Sequence, residues 1–299
     1  MLVSLTRPLH PPGASSTCPV DAHPKRTTVK KSTLILAVAS VLSLGLVTAG
    51  CSSTSEAAPA SSGPASETEK PFIIGTSGTY NPITFTDGGT LTGFDIDMGT
   101  AIAEKLGRPV KFVEGQLAGL LTGLQGGQYD AVMSSLTITP EREEAIAFSD
   151  PYLADGVVAV ADTENSKVSD ISHLDGLRVG VIGGSGYQKT IEKIGGYADL
   201  VEYPDAPSGF QDVKNGRIDI FASGKIPATT FVKADTTGGV PLDIAGEPYA
   251  LLPAAVGIAK GNTELISQVN EAIAALRADG TAGKLADKWF GFGIPGFTD

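Results

Sequence analysis

The segment at residues 133–142, MSSLTITPER, places four hydroxyl side chains and one arginine directly behind an apolar run. The dipole of a helix disfavours a cation in its first turn, so Arg142 needs another reason to be there. A carboxylate held between a forked guanidinium, hydroxyl groups and free backbone N–H groups would supply that reason. The segment therefore predicts an anion site that includes Ser135, Thr137 and Arg142.

The same segment also predicts an ordinary capped helix. Thr139 suits the N-cap, Pro140 the first helical position and Glu141 the first turn. A cap requires neither the hydroxyls upstream nor the cation that follows. Both interpretations stand, and the anion site is the favoured one.

A glycine-rich turn, GGSG at residues 183–186, lies between a predicted strand and a predicted helix. It lacks the GK[ST] ending of a phosphate loop and the GxGxxG spacing. It is either a tight turn or a place where the backbone N–H groups of Ser185 and Gly186 help to bind an anionic ligand. Tyr80 and Leu117, at a strand end and a helix start, are likewise either local structure or ligand contacts.

The elements that must position these residues alternate between strand and helix from Phe72 onward, which is typical of an α/β protein with mainly parallel sheets. A chain of 299 residues is long enough for two domains. Two extended runs, FSDPYLADGVVAV and EPYALLPAAVGIAK, look like crossings between lobes. We expect a discontinuous first lobe at 71–157 and 252–299, a second lobe at 158–251, and a ligand cleft between them.

The N-terminal region has the order of a secretory signal. Basic residues precede the uncharged run at 34–50, which ends in small residues before Cys51. A permanent transmembrane anchor is the alternative for this run. Residues 51–70 are rich in Ser, Ala and Pro and predict a flexible linker after a signal region at 1–50.

Charge and composition exclude several functions. Removal of residues 1–50 changes the net charge from −11 to −15, which argues against a nucleic-acid partner. It also leaves Cys51 and His173 as the only cysteine and histidine. No disulfide, zinc cluster or Ser-His or Cys-His pair can be built from these, so we expect no metal, no cofactor and no catalytic residues.

Several stretches together resemble one family, the bacterial extracellular solute-binding proteins of the polar amino acid type (family 3), which are the capture subunits of ABC importers. They are GFDIDMGTAIAEKL, LLTGLQGGQYDAVMSSLTITPEREEAIAFSDPY, LDGLRVGV, NGRID and NEAIAALRADGTAGKLADKWFG, and the resemblance covers residues 72–291. It implies a two-lobed periplasmic-binding-protein-like fold of type 2 with two hinge crossings. It also implies a monomer that delivers a small carboxylate-bearing solute, an amino acid or analogue, to an ABC permease.

The tetrapeptide TAGC, which ends at Cys51, resembles the lipobox of bacterial lipoproteins. The resemblance implies that Cys51 is lipidated and that the mature chain is exported and anchored to the outer face of the cell membrane. Contact with the membrane would then be through the lipid alone.

Ligand contacts carry over residue by residue. In the family, the residues matching Arg142, Thr137 and the backbone of Gly186 hold the ligand α-carboxylate. Ser135 matches a position of the α-amino site. Tyr80 and Leu117 match positions that sandwich the ligand side chain.

Two departures from the family concern the ligand's amino group. The family usually has an aspartate where Gly224 stands, and several members with cationic ligands have one where Ser77 stands. The ligand's α-amino group would therefore lack its usual counter-charge in this chain. If Lys225 faces the cleft, an acidic ligand or a carboxylate without an amino group is favoured. Two other functions stay open: a dehydratase of a small organic acid on the same fold, and a solute sensor for a signalling receptor.

Overall fold

The computed structural model describes residues 70–164, 167–235 and 240–294, all within one compact unit, Ser62–Asp299. The predicted signal region 1–50, Cys51 and all but the last residue of the linker 51–70 lie outside the described residues. In chain order the elements are β1 (Phe72–Thr76), β2 (Thr79–Tyr80), β3 (Thr84–Asp87), β4 (Thr90–Thr92), α1 (Phe94–Lys105), β5 (Val110–Glu114), α2 (Leu117–Gln125), β6 (Ala131–Val132), α3 (Pro140–Ala145), β7 (Ala147–Asp162), β8 (Arg178–Ile182), α4 (Gly186–Ile194), β9 (Asp199–Tyr203), α5 (Ala206–Lys214), β10 (Ile220–Gly224), α6 (Lys225–Ala234), β11 (Leu242–Ala245), β12 (Leu251–Ile258), α7 (Thr263–Ala278) and α8 (Thr281–Phe290).

The strands are joined in the order β5-β1-β6-β12-β7-β10-β8-β9, with β11 added on β7. The pairs β1–β5, β1–β6, β10–β8 and β8–β9 are parallel. Each antiparallel pair among these strands involves β7 or β12, the two predicted crossings. The architecture is therefore a two-lobed α/β fold in which parallel strands lie on either side of the crossing strands.

Strand β7 changes its partners part-way along its length. From Ala147 to Gly156 it pairs with β12. From Val157 to Asp162 it pairs with β10 and β11. The part of β7 beyond this change is a continuous apolar run that is almost wholly buried, as expected for a strand covered on both faces.

The segment GFDIDMGTAIAEKL predicts helix α1 with Asp95 as its N-cap. That cap prediction is wrong, because the N-cap is Gly93 and Asp95 lies inside the first turn. The carboxylate of Asp95 is instead fully buried and bonds residues outside the helix. Helices α7 and α8 pack against α1.

A small antiparallel sheet, β2-β3-β4, follows β1. Its first strand contains Tyr80, and a cis Asn81–Pro82 peptide bond leads into β3. The carbonyl groups of Pro82 and Ile83 accept from the first N–H groups of α1. This sheet thus satisfies helix donors that have no partner within the helix.

Among residues 70–164, 167–235 and 240–294, no helix is both long enough and apolar enough to span a bilayer. His173 lies in a connector with its side chain 71% exposed and bonds Asp170. Within the same three ranges, no group of three His, Cys, Asp or Glu side chains has the arrangement of a metal site.

Candidate ligand-binding site

A cavity of about 310 Å³ lies between residues of β1 to α3 on one side and residues of β8 to α5 on the other. Eight of the nine predicted ligand contacts are in its wall: Ser77, Tyr80, Leu117, Ser135, Thr137, Arg142, Ser185 and Gly186. These residues come from segments more than 100 positions apart, so the fold alone brings them together. The ninth, Gly224, lies behind the wall.

Arg142 is the cation of this wall. Its side chain is buried, and its guanidinium donates to the carbonyl of Thr137 at 2.6 Å and to that of Gly184 at 2.8 Å. Burial lowers the pKa of Arg142 to about 10, so it stays cationic at neutral pH. No carboxylate among the described residues forms an ion pair with it. Its charge is therefore available to an anion in the cavity.

The segment around Arg142 folds as a short helix with an ordinary cap. The Thr139 hydroxyl accepts from the Arg142 N–H at 3.3 Å, and Pro140 occupies the first turn of α3. The prediction of a capped helix is therefore confirmed. The anion site stays a prediction, and it is compatible with the cap, because the cap uses Thr139 while Thr137 is in the cavity wall. Thr137 is further fixed by a bridge to Ala254 of β12.

Ser135 adopts a left-handed backbone conformation, with φ of 47°, which is unusual for a residue other than glycine. Its N–H donates to Asp95 Oδ2 at 2.7 Å, and Tyr152 Oη donates to Asp95 Oδ1 at 2.9 Å. Burial raises the pKa of Asp95 to about 7, against the opposing effect of these two donors. A buried carboxylate thus holds Ser135 in place from behind the wall.

The N-terminus of α4 forms the opposite wall. The Ser185 hydroxyl caps this helix by accepting from the Gln188 N–H at 3.2 Å. A Cβ atom on Gly186 would lie 2.6 Å from Thr137 Cγ2, so this close approach requires glycine. The positive end of the helix dipole therefore faces the same cavity as Arg142, an arrangement suited to a carboxylate.

Tyr80 links the two sides of the cavity at its inner end. Its hydroxyl lies 3.3 Å from Ser223 Oγ and accepts from the Gly224 N–H at 3.2 Å. Burial raises the pKa of Tyr80 to about 12. Lys225 is the first residue of α6 and is exposed outside the cavity wall, so it does not change the charge of the wall directly.

Ser77 and Leu117 occupy the wall near β1 and α2. The hydroxyl of Ser77 accepts from Ser134 Oγ at 2.9 Å. Leu117 is the first residue of α2 and is half-buried, whereas Leu120 and Leu124 of the same helix are fully buried. Its position at the helix start is what places it at the cavity rather than in the core.

Sequence reasoning missed three wall residues with ionisable side chains: Glu114, Tyr187 and Asp205. Glu114 ends β5, and Asp205 caps α5 by accepting from the Ser208 N–H at 2.9 Å. Tyr187 follows the GGSG turn directly and is buried. Their positions in the sequence could have indicated them. They follow or end strands β5, β8 and β9, and ligands bind outside the carboxyl ends of parallel strands.

Comparison with known proteins gives one family. Residues 72–292 match the model of the bacterial extracellular solute-binding proteins, family 3. The L-cystine-binding protein TcyJ of Escherichia coli (strain K12) is 32% identical over 222 residues, covering 74% of this chain and 82% of that protein.

Solved structures agree with this match. An ancestral arginine-binding protein bound to glutamine is 35% identical with a TM-score of 0.70, covering 74% of this chain and 98% of that one. The ancestral amino acid-binding protein AncCDT-1, a precursor of cyclohexadienyl dehydratase, is 32% identical with a TM-score of 0.68, covering 74% and 95%. This chain belongs to the bacterial extracellular solute-binding proteins of family 3, whose named relatives are amino acid-binding proteins of ABC transporters.

Proposed function

We propose that this chain is the substrate-binding lipoprotein of an ABC importer and that it captures a polar amino acid or related small carboxylate in the cavity around Arg142. The single observation that carries the proposal is the buried guanidinium of Arg142, which has no carboxylate partner among the described residues. The N-terminus of α4 faces it across the cavity. The ligand carboxylate would pair with Arg142 and accept from Thr137 and the backbone at Gly186.

Capture would proceed by closure of two lobes. We assign the first lobe to 71–157 and 252–299 and the second to 158–251, with β7 and β12 as the crossings. The partner change of β7 between Gly156 and Val157 supports this division. A ligand that contacts Arg142 on one side and Gly186 on the other binds the closed form better, and this difference in affinity shifts the population of closed molecules.

The solute would then be released to a permease. The TAGC sequence before Ser52 supports lipidation of Cys51, and so an exported chain held at the outer face of the membrane by its lipid. Labelling of the expressed chain with a fatty-acid analogue tests this part separately. Loss of label in Cys51→Ala supports it, and unchanged label contradicts it.

Calorimetry with Arg142→Ala tests the binding proposal. Removal of one partner of a buried charge pair costs about 2–5 kcal/mol, so affinity for any carboxylate solute should fall by about 30-fold or more. Retention of wild-type affinity would contradict the role of Arg142. Circular dichroism and the unfolding midpoint of the variant show whether it is folded.

An enzyme is the second candidate, because one structural relative is described as a precursor of a dehydratase. A dehydratase needs a general acid in its cleft, and Glu114 and Asp205 are the carboxylates of the wall. Product formation from a cyclic acid, lost in Glu114→Gln or Asp205→Asn, would favour the enzyme. Binding without turnover would favour the receptor.

A further inference from the structure

An α-amino acid has an ammonium group as well as a carboxylate, and Arg142 can serve only the carboxylate. The two acids of the cavity wall are engaged elsewhere. Glu114 is exposed and accepts from Thr86 Oγ1 at 3.3 Å, and Asp205 caps α5. Neither is held at the inner end of the cavity, where Ser135 and Tyr80 lie. The partner of the ammonium has to be sought behind the wall.

A third carboxylate, Asp155, lies directly behind that inner end. It is on β7, only 5% of it is exposed, and Oδ1 accepts from the N–H groups of Gly156 at 2.8 Å and Ile226 at 3.2 Å. Among the described residues no lysine or arginine forms an ion pair with it. A buried carboxylate without a cationic partner is costly to keep ionised, so a cation brought close to it is stabilised.

Gly224 is what allows Asp155 to reach this position. A Cβ atom on Gly224 would lie 2.6 Å from Tyr187 Oη and still closer to Asp155 Oδ2. Both groups therefore occupy the space that any side chain at position 224 would need. Gly224 thus stands where the family usually has an aspartate on β10, and because it has no side chain it leaves room for the Asp155 carboxylate from β7.

The hydroxyl groups of Tyr80, Tyr187 and Ser135 lie in front of Asp155. Burial raises the pKa of both tyrosines, the charge of Asp155 raises each further, and Ser135 lowers that of Tyr187. All three hydroxyl residues are in the cavity wall. They offer oxygen acceptors to a ligand N–H, with a negative charge immediately behind them.

We propose that Asp155 is the counter-charge for the ligand's α-ammonium group, acting across the hydroxyls of Tyr80 and Tyr187, and that it makes the site selective for α-amino acids over amino-free carboxylates. This rests on the function proposed above. Asp155 is a positioning residue here, because the hydroxyl groups make the direct contacts.

The protonation of Asp155 supports the assignment. Burial raises its pKa to about 7, against the lowering by the backbone N–H groups of Ile226 and Gly156 and by the charge of Lys225. An ammonium ligand lowers this pKa, so its binding releases a proton near pH 7, and its affinity rises with pH below 7. Tyr80 and Tyr187 face Asp155 but titrate at higher pH, because burial raises the pKa of each.

The experiment is calorimetry on the wild-type chain, Asp155→Asn and the control Asp243→Asn, which removes the same charge from an exposed site on β11. The probes are the twenty proteinogenic L-amino acids and L-cystine, followed by the des-amino analogue of the tightest binder. Asp155→Asn should lower the affinity for the amino acid by about 30-fold or more and change the affinity for the des-amino analogue by no more than about threefold. Asp243→Asn should change neither.

Each contrary outcome overturns a different statement. Equal losses for both ligands in Asp155→Asn would give Asp155 a structural role only. Equal wild-type affinities for both ligands would exclude an ammonium site while leaving the carboxylate role of Arg142 intact. Binding of none of the amino acids would overturn the selectivity for α-amino acids, and the proposed function would fail with it only if small dicarboxylates and other amino-free carboxylates also do not bind.

A measurement on the wild-type chain alone covers the case in which Asp155→Asn does not fold. Calorimetry at pH 7 in buffers of different ionisation enthalpy counts the protons released on binding. The amino acid should release more protons than the des-amino analogue, because any contribution of Asp95, which titrates in the same range, is common to both ligands. Equal proton release would contradict the assignment.

Discussion

Gly186 of α4 packs against Thr137 across the cavity with no room for a methyl group between them. Both the Cβ and Cγ2 atoms of Thr137 lie within 2.7 Å of the place that a Cβ on Gly186 would take. Thr137 is β-branched and has little freedom to turn away. This contact therefore limits how closely the two walls can approach.

We expect Gly186→Ala to weaken ligand binding without unfolding the chain. An extra methyl group in a packed contact costs about 1–3 kcal/mol. If this cost destabilises the closed form alone, ligand affinity falls by about 5- to 150-fold. Calorimetry measures the loss, with Gly119→Ala as the control because a Cβ on Gly119 meets no atom within 4 Å. Unchanged affinity in Gly186→Ala would show that the ligand-bound form lacks this contact.

Arg142→Lys should keep part of the binding that Arg142→Ala loses. Lysine retains the positive charge but lacks the planar guanidinium, which donates to the carbonyl groups of Thr137 and Gly184 while it faces the cavity. We expect calorimetry to show an affinity loss of about 10-fold, since the charge remains and one oriented hydrogen bond of about 1.5 kcal/mol is lost. Arg178→Lys is the control, because Arg178 bonds Asp219 on the surface. A loss as large as that of Arg142→Ala would show that geometry outweighs charge.

Stability should fall as the pH rises from 5 to 7.5, because of Asp95. Burial raises its pKa from 3.8 to about 7 in the folded chain. Between these values the folded chain holds a proton that the unfolded chain has released, so each pH unit removes up to about 1.4 kcal/mol from the free energy of unfolding. Asp155 adds to the same trend.

Asp95→Asn should reduce the slope of this dependence, because asparagine does not titrate, while Asp155 retains its own contribution. Urea unfolding of both chains at pH 5, 6, 7 and 8 measures the slopes. A wild-type stability that increases over this range, with an identical slope in Asp95→Asn, would contradict a raised pKa for Asp95.

Tyr80→Phe removes the hydroxyl that joins β2 to β10. The Gly224 N–H and the Ser223 hydroxyl then lose a partner in a buried place, which costs about 1–3 kcal/mol. Because this bond crosses the cavity, we expect the loss to appear in ligand affinity more than in unfolding. Parallel calorimetry and thermal unfolding separate the two, and a loss confined to stability would make Tyr80 a purely structural residue.

Most elements could be predicted from the sequence because their apolar periodicity is strong. The strand at Phe72–Thr76 and the helix at 186–194 lie where the pattern places them, whereas α1 begins at Phe94, before its predicted cap Asp95. The small sheet β2-β3-β4 was missed, since its short polar strands have no apolar alternation and Tyr80-Asn81-Pro82 resembles a turn. The apolar run YDAVM at residues 129–133 predicts a five-residue strand, but only Ala131 and Val132 form one.

The carboxylate half of the candidate site could be predicted because MSSLTITPER holds its residues in one segment. The other half could not. Asp155 and Gly224 are 69 positions apart, and only strand pairing between β7 and β10 brings them together. From the sequence alone, Gly224 indicated a missing acid, whereas the structure fills that space from another strand.

Strand β7 exchanges β12 for β10 and β11 immediately after Gly156, and Asp155 is the residue before it. If the proposed closure turns about this point, the Asp155 carboxylate lies at the pivot and moves little between the open and the closed molecule. An arriving solute would then meet this charge already in place in the open molecule. On this proposal, a solute of the wrong charge would be rejected before the walls meet.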